Sequence, residues 1–349
     1  MINYRFGTNA NGYAGRTIGT LANPNLKAEK AFKFDFGVES QLFKSFYVNA
    51  NYFFERRYDV LTSWDNIYSS VTGISYPNVN YGVAFNYGLE LQLNYEKQIN
   101  KDLSLSGNLN FLTYKNEIRK VLENPLPANS LYQSKLGSII GDELGLVAVG
   151  LFESEADIAS SPTQEFGTVN VGDIKYKDVN NDGVINDYDR VWMGSYPIPN
   201  TEVGLTLGAK YKHFDVSALL HAQFGSDIYL GDASNIFWAF NGNNYRVSDW
   251  ISDRIESGNY PRLSTGKNSN NYRRSTYWME NGDCLRLRYV ELGYTLPTNI
   301  ASRMYMTNCR LFLRGTNIFS LDHLKVLDPG ALTGAPMMRS YFVGCSLSF

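Results

Sequence analysis

Residues 84–97 alternate without a break. Phe85, Tyr87, Leu89, Leu91, Leu93 and Tyr95 share one parity, and Asn86, Gly88, Glu90, Gln92, Asn94 and Glu96 share the other. A strand sends successive side chains to opposite faces, whereas a helix would smear both sets around its circumference. The segment is therefore a strand with one wholly apolar side. Aromatic residues bracket that side, as they do on a strand that meets lipid between two interfaces.

The pattern recurs. It is carried at 30–41 by Phe32, Phe34, Phe36 and Val38, and at 45–55 by Phe46, Val48, Ala50, Tyr52 and Phe54. Leu103, Leu105, Leu109 and Phe111 carry it at 102–114; Val203, Leu205, Leu207, Ala209 and Tyr211 at 202–212. Phe214, Val216, Ala218, Leu220, Ala222 and Phe224 carry it at 213–224, and further segments follow at 284–295, 308–317 and 339–349. Within 284–295 the phase slips between Leu287 and Val290, and a β-bulge near Arg288 would reconcile the two halves. Nine strands result, several near the ten-residue length of a tilted membrane-crossing strand. The last ends Tyr341, Val343, Cys345, Leu347, Phe349 on one parity, the pattern of a barrel's closing strand with a terminal aromatic.

Connection lengths add a second argument. Tight links near 41–44, 98–101 and 211–213 alternate with long ones at roughly 56–83, 116–201, 225–283 and 318–338. Short turns at one rim and long loops at the other are the layout of an outer-membrane barrel. A β-sandwich alternates too, but does not usually sort its connections so regularly. In the loops, Trp250, Ile251, Arg254 and Ile255 have helical spacing within 248–257, with Ser248 as N-cap and Gly258 past the end. Ser154 opens a second short helix that must stop before Pro162.

Composition narrows the function. Aromatic residues at 14% and charged residues at 19% suit strands. A mean hydropathy of −0.29 excludes a helical membrane bundle; a barrel, whose alternate residues face a polar lumen, stays open. The net charge of −2 gives no electrostatic footprint for nucleic acid. Cys284, Cys309 and Cys345 are too few and too dispersed for a disulfide framework or zinc site and read as small strand residues. No apolar signal-peptide core follows Met1, and no run is long enough for a transmembrane helix.

One motif carries chemistry. Residues 178–189 have the spacing of an EF-hand-type calcium loop, in which a hard cation takes oxygen ligands. Asp178, Asn180 and Asp182 fill positions one, three and five, and Gly183 takes the sharp turn at six. The Val184 carbonyl would be seven, Asn186 nine, through water, and Asp189 twelve. Asp rather than Glu at twelve implies weaker selectivity, and the expected Ca2+ would be structural, stiffening the longest loop. His213 and His221 share a strand face with Asp215, Ser217 and Gln223 and read as a polar lumen lining. Glu153, Glu155 and Asp157 read as a solvated helix start. Trp64, Trp238, Trp250 and Trp278 fall in the long loops, either to stack on sugar rings or partners or to pack the loops themselves.

Several blocks together resemble a known family. They are 23–29 (Asn-Pro-Asn-Leu-Lys-Ala-Glu), 172–178 (Gly-Asp-Ile-Lys-Tyr-Lys-Asp) running into the calcium-like loop and Asp189-Arg190, and 285–288 (Leu-Arg-Leu-Arg) leading to 292–297 (Leu-Gly-Tyr-Thr-Leu-Pro). Thr316-Asn317-Ile318-Phe319 before Asp328-Pro329-Gly330 completes the series. In this order they resemble SusC/RagA-type TonB-dependent transporters, with Ala28 and Gly330 as small departures. The resemblance implies an all-β fold: a partial transmembrane antiparallel β-barrel, about the last nine strands of a 22-stranded barrel. Long extracellular loops with short helices would crown it. Residues 1–349 would be the C-terminal part of that barrel, with plug, signal peptide and energy-coupling segment outside it. The implied function is import of oligosaccharides, or of peptides, across the outer membrane of a Gram-negative bacterium, with a SusD-like lipoprotein and the TonB complex as partners.

Two rival classes stand beside it. One is a calcium-stiffened β-sandwich acting as an adhesin or carbohydrate-binding module. The other is an enzyme, against which stands the absence of G-x-S-x-G, P-loop and G-x-G-x-x-G motifs.

Overall fold

The computed structural model describes residues 2–5, 12–15, 19–63, 75–194, 196, 198–233, 239–241, 244–245, 248–264, 268–324, 328–330 and 337–349. Nine strands form one sheet: β1 (Lys30–Leu42), β2 (Phe46–Ser63), β3 (Asn78–Gln98), β4 (Leu103–Lys120), β5 (Thr201–Tyr211), β6 (Phe214–Phe224), β7 (Cys284–Thr295), β8 (Asn308–Asp322) and β9 (Ser340–Ser348). Each pairs antiparallel with the next in the chain, so the sheet is a simple up-and-down meander.

All nine expected strands are present, and four run longer than their alternation. β2, β3 and β4 have 18, 21 and 18 residues, and β8 continues to Asp322. Lipid selects the alternation, but hydrogen bonding needs no lipid, so the ladder outlasts the apolar pattern at the long-loop rim. Three of the connections there are accordingly shorter than expected.

One face of the sheet is apolar and uncovered. Phe32, Phe36, Leu89, Leu207, Val216, Leu292 and Leu313 are all exposed on it. The β-sandwich reading fails here, because no second sheet of the described residues packs on this face. Aromatic pairs mark its two margins: Phe46 with Tyr95 and Phe214 with Tyr294 near the short turns, Phe54 with Phe85 near the long loops. Ten steps separate Phe214 from Phe224, roughly 33 Å along a strand, or about 25 Å of height at the usual tilt of a membrane barrel.

The expected bulge lies at Arg288. Leu287 pairs with Leu220 and Phe319, Tyr289 with Leu219 and Thr316, and Arg288 is left without a partner on either side. One extra residue restores the phase, so Leu285 and Leu287 join Val290, Leu292 and Tyr294 on the apolar face. Positive φ at Phe43, Lys44 and Lys212 makes two of the short turns. The fourth short-turn connection, 296–307, carries a helical turn, Thr298–Ala301, and a small core of Ala301, Met306 and Cys309. Its regular structure has no apolar periodicity long enough to read from sequence.

The long loops hold the main hydrophobic core. Residues 121–200 and 225–283 are stitched together by the bridge between Leu146 and Ser275. Leu146, Ile174, Tyr176, Ile185, Leu230, Ile251 and Trp278 are fully buried between them. The two expected helices form: α1 (Glu155–Ser160), capped by Ser154, and α2 (Asp249–Glu256), capped by Ser248. Gly258 takes φ +70 just beyond α2, the left-handed geometry that glycine adopts without strain.

Candidate functional site

The polar face of the sheet lines the inside of the wall. Asn49, Asn51, Gln92 and Asn110 stand together with Glu90, Glu202 and His221 around a cavity of about 410 Å3. Asn51 donates to Glu90 at 3.4 Å, and Asn110 donates to Asn108 at 2.5 Å. His221 belongs to this lining, with its Nδ1 unpartnered; Ser217 and Gln223 lie on the same strand parity. His213 lies instead in the turn before β6, near the Tyr294 ring.

Sequence reasoning missed a charge network on the same face. Arg310 Nε donates to Asp215 at 3.0 Å and its Nη2 donates to Glu291 at 2.7 Å, while Arg314 Nε reaches Glu291 at 2.6 Å. Glu291 is buried, and three strands contribute. Gly293 makes the space, since a Cβ there would run into the Arg310 guanidinium and the Asp215 carboxylate. The signal was present: Glu291, Arg310 and Arg314 lie on the inner parity of neighbouring strands.

At the long-loop rim two of the family-like blocks, 23–29 and 172–178, turn out to be structural knots. In 23–29, Lys27 N and O both bond the Asn80 side chain, at 2.8 and 2.7 Å, and Glu29 accepts from Leu61 N at 2.9 Å. That pins the approach segment to β2 and β3. In 172–178, Asp173 is fully buried and accepts from Asn170 N, Asn268, Asn271 and Arg262 at 2.8 to 3.3 Å. A buried carboxylate needs such a set of donors, and this one ties the two long loops together. The side chain of Gln164 repeats the device, bonding Ile174 O at 3.0 Å and Tyr176 N at 2.7 Å.

Trp278 packs the loops and offers no face for a sugar, and Trp250 packs against it while also lining the cavity beside α2. Trp278 is fully buried, donates to Asn271 O at 2.8 Å, and is ringed by Trp250, Tyr260, Tyr272 and Tyr277. Burial pushes the Tyr277 phenol up to about 12. Trp64 and Trp238 lie outside the described residues.

The calcium-like loop is a tight turn. Asp178 accepts from Asn181 N at 2.7 Å and Gly183 N at 2.8 Å; Asn180 accepts from Asp182 N at 3.0 Å; Asp182 accepts from Val184 N at 2.9 Å. Asp189 is fully buried and accepts from Val179 N and Asn186 N, each at 2.8 Å. Asn186 caps the following turn by accepting from Tyr188 N. Gly183 takes φ +84 and Asn181 φ +58. Val184 and Ile185 pair with Thr163 and Gln164, and Gln133 donates to the carbonyls of Asp187, Tyr188 and Arg190. Among the described residues, no three His, Cys, Asp or Glu side chains form a group able to hold a metal ion. A cation here would have to draw on the amide oxygens of Asn180 and Asn186 and the Val184 carbonyl as well.

Beyond these, a cavity of about 1050 Å3 opens beside α2, lined by Trp250, Asp253, Arg254, Tyr277, Glu280 and His323 among others. Glu153 lies at its edge, and Glu155 and Asp157 sit in the first turn of α1 as expected. The cysteines are free, with Cys284 and Cys309 buried and Cys345 exposed.

Comparison with known proteins fits this architecture. The sequence profile of the family described as "TonB dependent receptor-like, beta-barrel" matches residues 3–218. TonB-dependent receptor P26 of Formosa agariphila is 27% identical over 329 residues, 90% of this chain and 32% of its own length. TonB-dependent receptor SusC of Bacteroides thetaiotaomicron is 25% identical over 181 residues, 50% of this chain and 17% of its own. The solved RagAB peptide transporter superposes with a TM-score of 0.70 at 20% identity, covering all of this chain and 38% of that one. The chain thus spans about a third of the length of the longer matches.

Proposed function

Because the chain belongs to the TonB-dependent receptor-like β-barrel family, we propose that it supplies the C-terminal wall and outer loops of a nutrient importer. The family is one of outer-membrane receptors and transporters of Gram-negative bacteria, and the chain resides in that membrane. The observation that carries the reading is the two-faced sheet: an apolar band of about 25 Å outside and a face of amides and carboxylates inside. Oligosaccharides are the first cargo, because Asn and Gln side chains both donate and accept and so match sugar hydroxyls. Peptides are the second, supported by the likeness in fold to the RagAB peptide transporter.

The whole protein would close its barrel at 22 strands, with a plug inside. A SusD-like lipoprotein would cover the loops, and the TonB complex would drive uptake from the inner-membrane proton gradient. Deleting the whole gene and measuring growth on single glycans or peptides tests the import. Loss of growth on one glycan, restored by the gene, is the expected result; unchanged growth and uptake on every substrate would sink it. Co-purification from outer membranes tests the lipoprotein.

Structural Ca2+ in the loop 178–189 belongs to the same proposal. Its support is the ligand spacing, the glycine turn and the carboxylate and amide oxygens gathered in one short segment. Chelation should then expose the neighbouring segment 128–133 to protease, and added Ca2+ should reverse it. Identical digestion with chelator and with Ca2+ would rule the ion out.

A further inference from the structure

At the long-loop end of β7, Arg286 is only 5% exposed. One nitrogen bonds the Asp328 carboxylate, another N–H reaches only the Met337 sulfur at 3.4 Å, and Nε has no acceptor. A guanidinium carries five donors, and a thioether is a weak acceptor. Arg288 directs a donor at the same sulfur, at 3.1 Å. Arg286 and Arg339 line one cavity of about 310 Å3 together with Asn317 and Ser320.

Asp328 is the one carboxylate in that lining, and it is already engaged by Gly330 N at 2.8 Å and Met337 N at 2.9 Å besides Arg286. Among the described residues Arg339 has no ion pair. The cavity therefore has more positive charge than its own acid balances. Gly330 leaves room beside it, because a Cβ there would come within 2.7 Å of the Met337 methyl and 2.9 Å of Arg286 Nη1.

We propose that this cavity binds a carboxylate carried by an external ligand. Donors without oxygen acceptors, on a side chain held in place by Asp328, are what a carboxylate completes, and guanidinium favours its planar, two-oxygen geometry. The group could come from an acidic sugar or from a peptide; both present the same two oxygens to Arg286 and Arg339.

The test uses the full-length protein in detergent and 13C-labelled acetate as probe, read by NMR line broadening. Glucuronate and N-acetylglutamate are the competitors. The wild type should broaden the acetate signal, and at least one competitor should relieve it; the stronger competitor identifies the source. Arg339→Gln, at an exposed position where folding is not at stake, should weaken binding about tenfold, as expected for the loss of one charge-assisted contact. No broadening by the wild type, relief by neither competitor, or equal binding by Arg339→Gln would each overturn the proposal. The assay needs no energy coupling, so its result is independent of whether the import reading holds.

Discussion

Glu291 shows what a single residue does inside the wall. Buried among lumen side chains, it is held by Arg310 and Arg314, and removing it leaves Arg314 without its carboxylate and Arg310 with Asp215 alone. Glu291→Ala should lower stability by roughly 1.5–3 kcal/mol, the range for hydrogen bonds to charged groups, seen as a lower temperature for loss of heat-modifiable migration on gels. Glu291→Gln should do less. Outside the membrane, the Lys175 ammonium bonded to Asp157 at 2.6 Å, with help from the Glu153 N–H, holds that carboxyl below its ordinary range. A depressed carboxylate stabilises the fold above its unfolded-state pKa and loses that contribution as pH falls through the folded one. Proteolysis near α1 should therefore rise only at strongly acid pH, and Lys175→Gln should move that onset upward. An onset that stays put in the variant would show that the pair does not hold the segment.

Among the elements, the nine strands were legible in the sequence because lipid on one side and water on the other force a period of two. The Arg288 bulge was legible for the same reason, as a slip in phase. Helices α1 and α2 were readable from Ser154, Ser248 and Gly258, whose roles are local. The joint core of the long loops was not. Leu146, Ile174, Ile185 and Trp278 are scattered across more than a hundred residues, and no periodicity announces that they meet. Asp173 and Gln164 were equally silent, because a buried polar knot is defined by partners distant in sequence. The calcium-like loop was plain as a pattern, but its carboxylates bond backbone N–H groups, and spacing alone does not say which oxygens remain for a cation. Trp278→Ala should cost about 3–5 kcal/mol in the loop core. The loops 121–200 and 225–283 should become protease-sensitive together while the sheet stays folded. Cleavage confined to one loop would mean the core is not shared.

For the whole molecule, the sheet has two open edges among the described residues. β1 pairs only with β2, and β9 only with β8; Val343 is 87% exposed. Unpaired backbone in hydrocarbon costs several kcal/mol per group, so the 349-residue chain expressed by itself should aggregate rather than insert. Stable, heat-modifiable insertion of this chain alone would contradict the wall-segment reading. The inner face has an asymmetry as well: Asp215, Glu291, Arg310 and Arg314 on β6–β8 neutralise one another, whereas Glu90 and Glu202 on β3 and β5 make no ion pair among the described residues.

The bridge between Leu146 and Ser275 also bears on how such a surface changes over generations. Two stretches of chain share one interior, so neither can be swapped alone: a transplanted loop would arrive with half of its packing missing. Moved as a pair, they carry that interior with them and have to remake the bonds by which 137–140 and Asn200 dock on β4. New outer specificities would then be acquired by exchange of both stretches at once, or by small edits at their rim, while the lipid-facing wall stays as it is.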